Sequence, residues 1–186
     1  MANIGEEIVS SYLRHVEGCD FVDTNVRTRD TQGEIDVLGI HLGEKRVYAC
    51  EVAIHLPTGL QYVDAKTNRP DTDTRLAAKL VRDIDYARTH FPGHQGVFML
   101  WSPIVKQGKK GAAYDQMAHV RAICESVRKN RGEEVRLVIN DTFQECLGRL
   151  RAHAGKATSE MQCPVMRYLQ IEEYLKRHTA RHPASP

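Results

Sequence analysis

The chain lacks most of the signatures that announce a function. It has one tryptophan and only 6% aromatic residues, and its basic runs carry no interleaved aromatics of the kind that stack unpaired bases. No apolar run approaches the roughly 20 residues that a membrane-spanning helix needs. The net charge is only +2, so an anionic partner must be drawn by a local patch rather than by the field of the whole chain. The five cysteines are odd in number and scattered, with no Cys-x-x-Cys pair. That argues against a disulfide framework or a zinc cluster and for reduced thiols in a cytoplasmic protein. The nine histidines form no His-Glu-x-x-His pattern, and neither a phosphate-cradling glycine loop nor a Gly-x-Ser-x-Gly elbow is present. Met1 to Glu7 carry no basic segment leading into an apolar stretch, so no secretory leader is expected. At 186 residues the chain is long enough to bury a sizeable core.

What the chain does have is Gly33-Glu34-Ile35-Asp36-Val37-Leu38-Gly39-Ile40 and, after a short break, Arg46-Val47-Tyr48-Ala49-Cys50-Glu51-Val52-Ala53-Ile54. Both stretches are rich in β-branched and apolar residues, the pattern of a hairpin, and Gly43-Glu44 suits the centre of a type II′ turn. With that turn Leu42 faces Lys45, and counting outward sets Asp36 opposite Glu51. Directly opposed residues have Cβ atoms roughly 4.5–5.5 Å apart, where two like charges repel. A divalent cation relieves the repulsion most simply, and Mg²⁺ is commonly held by one or two carboxylates plus a phosphate. Solvent exposure of one acid, or an arginine beside it, is the alternative.

Helical spacing of Ile8, Val9, Tyr12, Leu13 and Val16 predicts a first helix from Asn3 to Val16, with Glu6 on the edge of its apolar stripe and Glu7 in solvent. Phe21 to Arg29 reads as a regularly alternating strand before the hairpin. Leu56 to Asp73 is a long connection with little periodicity, of the kind that is functional or mobile. A helix follows from Thr72–Thr74 to about Phe91, its inner side Leu76, Leu80, Ile84 and Ala87, with Arg75, Lys79, Arg82 and Arg88 along its flanks. Gly96–Trp101 is a buried strand, Lys106 to Gly111 a basic loop, and Ala112 to Lys129 a third helix. Val135 to Ile139 is a last strand. A helix capped by Asp141 or Thr142 and an amphipathic helix from Pro164 to His178 (Val165, Leu169, Ile171, Leu175) close the chain. An antiparallel meander followed by αβ units implies an α/β fold with a mixed sheet and helices on both faces.

The local residues sharpen this topology. Gly5-Glu6 with Val9, Tyr12-Leu13 and Gly18, then Asn25-Val26-Arg27, Gly33-Glu34-Ile35-Asp36 and Glu51-Val52, resembles the small bacterial Holliday-junction-resolvase-like endonucleases of the PD-(D/E)xK superfamily. The resemblance covers residues 4 to 53 and fades to topology beyond about residue 90. It implies a restriction-endonuclease-like αβββαβ core over residues 1–140, with a helical extension over residues 141–186 packed on it. It also implies Mg²⁺- or Mn²⁺-dependent hydrolysis of phosphodiester bonds in DNA, with branched and damaged DNA as candidate substrates. Asp36 and Glu51 would hold the ion together with the backbone carbonyl of Val52, and Glu6 would approach as a supporting group or as a ligand of a second ion.

One departure stands out, because the family pattern Glu-x-Lys is here Glu51-Val52-Ala53. Lys79, one turn beyond Arg75 on the following helix, is the favoured replacement. His55 or Lys66 is a further candidate, and loss of catalysis a third reading. Arg75, Arg82, Lys106, Lys109 and Lys110 are the candidate phosphate contacts, since backbone charge supplies most non-specific affinity. The competing expectation is a catalytically impaired nuclease fold that binds nucleic acid or a protein partner; a separate reading makes residues 141–186 a dimerisation or partner surface. A homodimer is expected where both strands of a duplex are cut, and no membrane partner is expected.

Overall fold

The computed structural model describes residues 3–28, 33–64, 66–67, 71–108 and 115–181. Asn3 caps the first helix, α1 (Ile4–His15): its side-chain oxygen accepts from the amides of Gly5 and Glu6, and Glu6 reaches back to the Asn3 amide. That reciprocal pair satisfies amides that the helix start leaves unbonded. Three antiparallel strands follow, β1 (Phe21–Thr28), β2 (Gly33–His41) and β3 (Arg46–Val52). Then come α2 (Thr72–His90), β4 (Gln95–Ser102), α3 (Gln116–Arg131), β5 (Val135–Ile139), α4 (Asn140–Lys156) and α5 (Pro164–Arg181). The sheet order is β1-β2-β3-β4-β5, with β4 parallel to β3 and β5 parallel to β4. Among the described residues this is an α/β fold with a five-stranded mixed sheet flanked by helices, the arrangement the meander and its αβ units imply.

Each face of the sheet has its own core. On one, Leu76, Leu80 and Ile84 of α2 and Val120, Ile123 and Val127 of α3 cover Val47, Ala49, Phe98 and Leu100. On the other, Val9, Tyr12 and Leu13 of α1 meet Val37, Cys50, Met99 and Trp101, together with Phe143, Leu150, Met166 and Leu169 from α4 and α5. Trp101 lies edge-on to Tyr12 and to Phe143, with ring centroids 5.1 and 5.8 Å away. The last two helices are therefore part of the core behind the sheet.

The β2–β3 ladder runs from Val37↔Cys50 to His41↔Arg46, the register read from the sequence, and one step further sets Asp36 across from Glu51. The turn itself differs from expectation. Its left-handed residue is Lys45 (φ 50), not Gly43, and the Lys45 amide donates to the Leu42 carbonyl at 3.2 Å. A four-residue loop with its left-handed residue last closes the same register, so no type II′ turn is needed. β1 does not alternate regularly either, because Asn25 takes φ 56. Helix α2 starts without a side-chain cap from Asp71; Thr72 instead accepts the Tyr62 amide at 2.9 Å, tying down the preceding loop. In α5 the buried stripe is Val165, Met166, Leu169 and Gln170, whereas Ile171 and Leu175 are 52% and 58% exposed. The packing partner of α5 is α4, which selects the 165/169 stripe over the 171/175 one.

Leu150 is fully buried at the junction of α4 with α1. Leu150→Ala should lower the unfolding free energy by about 2–5 kcal/mol. In urea, far-UV circular dichroism and Trp101 fluorescence should still move together, because the C-terminal helices and the sheet share one core.

Candidate active site

The site forms where the sheet forks. Pairing of β2 with β3 ends at Val37↔Cys50, while β3 stays paired with β4 as far as Val52↔Trp101. In the opening fork the Val52 amide donates to Asp36 Oδ2 at 2.7 Å, so a carboxylate continues the ladder where backbone pairing stops. Glu51 precedes it on the α2 side and is fully buried. The two acids therefore lie together beneath α2.

Residues four apart on a helix share a face, and α2 uses this spacing at the edge of its apolar stripe. Lys79 and Asp83 immediately precede the buried Leu80 and Ile84. The Lys79 ammonium donates to Glu51 Oε2 and lies 3.3 and 3.5 Å from the two oxygens of Asp36, so one cation bridges both acids. Asp83 is also fully buried. Beside it the Arg82 guanidinium donates to the Glu34 carbonyl at 2.7 Å and to Asp83 Oδ1 at 3.2 Å, and lies 3.7 Å from Glu51 Oε1.

Burial drives the electrostatics. It pushes the Glu51 carboxyl well above the usual carboxylate range, helped by the charges of Asp83 and Asp36 and opposed by Lys79. Asp83 is likewise pushed up to about 6, chiefly by burial. Burial works against the Lys79 ammonium, yet Glu51 and Asp36 outweigh it and its pKa rises. Glu51 Oε1 and Asp83 Oδ2 are both buried without a hydrogen-bond donor, the situation of two carboxyls that share one proton.

Asp36, Glu51 and Lys79 are thus brought together, and Val52 contributes its amide. Glu6 is held elsewhere, by Asn3 and by Asn25, whose Nδ2 donates to Glu6 Oε2 at 2.7 Å. Ala53, where the lysine is missing, is buried in the core beneath α2. Arg75 is exposed and stacks over the Tyr62 ring, 5.0 Å from its centroid, with His55 edge-on to the same ring at 5.4 Å. Arg82, expected among the phosphate contacts, donates here to the Glu34 carbonyl and to Asp83 Oδ1. Lys106 donates to the Pro57 carbonyl at 2.7 Å and so ties two loops together. The backbone of Lys66 is anchored to Asp64 in a turn, and Lys109 and Lys110 lie outside the described residues. Sequence reading missed Asp83, although an acid bordering the apolar stripe of α2, one turn after Lys79, was a usable signal. It also missed Tyr62, whose phenol is raised by burial and by the charges of Asp36 and Glu51, with Lys79 opposing.

Among the described residues no group of three or more His, Cys, Asp and Glu side chains forms a ready ligand set. The pair suits a hard cation that needs one or two carboxylates and completes its shell with water and phosphate; the Asp36 oxygens and Glu51 Oε2, which converge on the Lys79 ammonium, are the oxygens such an ion would take. A groove of about 570 Å³ along α5, lined by Arg167, Ile171, Tyr174 and Leu175 among others, contains none of these residues. No family model, curated protein or solved structure matches the chain.

A carboxyl whose folded pKa exceeds its unfolded value binds more protons in the folded state. Its contribution is fully present below the unfolded value and is lost as pH rises through the folded one. With Asp83 at about 6 against an ordinary 3.8, the urea midpoint of the wild type should fall between pH 4 and pH 6 relative to Asp83→Asn. Parallel midpoints for the two proteins over that window would refute the shared-proton arrangement.

Proposed function

We propose that the chain is a Mg²⁺- or Mn²⁺-dependent endonuclease of restriction-endonuclease-like, PD-(D/E)xK architecture that hydrolyses phosphodiester bonds in DNA. The observation that carries this reading is the Lys79 ammonium set against both Asp36 and Glu51, a cation returned from a helix in a chain whose strand position 53 is alanine. Asp36, Glu51 and the Val52 carbonyl would hold the ion, which when bound neutralises phosphate charge and makes hydroxide available from water near neutral pH.

The chain's own residues supply the rest. Lys79 keeps its proton, because Glu51 and Asp36 favour the ammonium, and its side chain is 26% exposed, within reach of a bound phosphate. Hydrolysis forms one P–O bond from water and breaks one ester P–O bond, and the ammonium stands to meet the charge that develops on the phosphoryl oxygens. Asp83 and Arg82 hold Glu51 from behind. Arg75, exposed one turn before Lys79, offers a phosphate contact outside the fork. Two copies of the chain, each with one such site, would address both strands of a duplex. No described helix is long and apolar enough to cross a membrane.

A second reading rests on the same ammonium. A lysine already bonded to both acids neutralises them without an ion, which would leave a nuclease fold that binds nucleic acid or a protein partner without cutting.

Supercoiled plasmid separates the two. Wild-type protein should nick it in Mg²⁺ or Mn²⁺ and not in EDTA. Asp36→Asn and Lys79→Ala should each lower the rate by about 10²-fold or more, with salt-sensitive binding retained. A gel shift with intact DNA in both metals would favour the second reading, and full activity of Lys79→Ala would remove the returned-cation argument.

A further inference from the structure

Glu6 and Asn25 do not touch the acid pair, yet they bear on where Asp36 points. β1 and β2 pair Thr24↔Val37 and then Val26↔Ile35, skipping Asn25 and Asp36. At the skip Asn25 has φ 56, the left-handed region that non-glycine residues enter only when their surroundings enforce it. Both strands change faces there. Val22 packs with the α1 core and Val26 with the α2 core, while Val37 belongs to the α1 core and Ile35 to the α2 core. In a regular strand residues two or four apart keep one face. Asp36 shares its face with Leu38 and Ile40 of the α2 core and so looks toward Lys79, and the crossover to Ile35 follows it at once.

The kink is gripped from the α1 side. Asn25 Nδ2 donates to Glu6 Oε2 at 2.7 Å, and Glu6, 6% exposed, is itself held by the Asn3 amide at 3.2 Å and by the Asn3 side chain. Asn3 and Glu6 are the capping box of α1, and α1 is locked onto the end of β3: a Cβ on Gly5 would sit 2.3 Å from Ile54 and 3.0 Å from Val52. The helix start, the strand kink and the fork are thereby one connected unit.

We infer that Glu6 and Asn25 are positioning residues that hold the β1–β2 crossover immediately beyond Asp36 and so keep its carboxylate in the fork beside Glu51. Glu6 acts across the sheet, through Asn25, and not as a ligand. The catalytic consequence rests on the nuclease reading; the coupling itself does not.

The Val52 amide, which donates to Asp36 Oδ2, reports the coupling directly through its hydrogen exchange in the full chain, with the Tyr48 amide in the body of the same strand as control. Glu6→Ala and Asn25→Gly cut the Glu6–Asn25 bond from opposite ends. The first also removes the capping box, and the second keeps it and accepts positive φ without strain. Each should speed Val52 exchange by about tenfold or more, with Tyr48 within about twofold of wild type. Glu6→Gln retains an oxygen for Asn25 and should restore wild-type Val52 exchange. Val52 exchange unchanged in Asn25→Gly, or Tyr48 accelerated as much as Val52, overturns the proposal. A wild type that cuts no plasmid but shows this Val52 response loses the nuclease reading and keeps the coupling. One that cuts but shows no response does the reverse.

Discussion

Three carboxyls gathered in a dry place dominate the energetics of this protein. Asp36, Glu51 and Asp83 converge beneath α2, and Glu51 and Asp83 are fully buried. Charges removed from water are costly unless matched by opposite charge and hydrogen bonds. The chain sets Lys79 and Arg82 from the same helix against them. This requirement fixes how α2 lies on the sheet: its apolar stripe buries against β3 and β4, while the flank bearing Lys79, Arg82 and Asp83 must come down over the fork. Gly33 belongs to the same arrangement, because a Cβ there would lie 2.5 Å from the Arg82 guanidinium.

The fork is a product of sheet irregularity. A fully paired β2–β3 ladder would occupy the Val52 amide with backbone and leave Asp36 no role in it. Ending the ladder at Val37↔Cys50 instead leaves the Val52 amide to Asp36, which also meets the Lys79 ammonium. The acids sit toward the carboxyl end of β3, where it runs parallel to β4, the end of a parallel sheet at which ligands bind in open α/β folds. Polar function and imperfect pairing coincide there for one reason: only an opened ladder offers unpaired backbone groups to a side chain or a ligand.

The opposite face is built for rigidity. Tyr12, Trp101 and Phe143 interlock edge-to-face, and the Tyr12 hydroxyl accepts from Arg149 at 2.5 Å and Arg136 at 3.4 Å. Burial raises the Tyr12 phenol far above its ordinary value, so it stays neutral and available to accept. α4 and α5 brace the strands that carry the site without entering it.

The sequence by itself determined the order of elements, the β2–β3 register and the pairing of Asp36 with Glu51. These follow from local alternation, a short loop and the period-2 geometry of strands, all of which involve neighbours in the chain. It also pointed to Lys79 through its place on the flank of a strongly periodic helix. The turn at Lys45, the stripe that α5 buries and the inward role of Arg82 were not legible, because each depends on which distant element packs against it. Only the tertiary structure decided that Asp83 joins the acids, that Asn25 bonds to Glu6, and that β1 and β2 change faces together beside Asn25 and Asp36. Burial, a cation held between two acids and a left-handed asparagine are consequences of long-range packing, and a linear pattern of residue types carries no measure of how far a charge will end up from water.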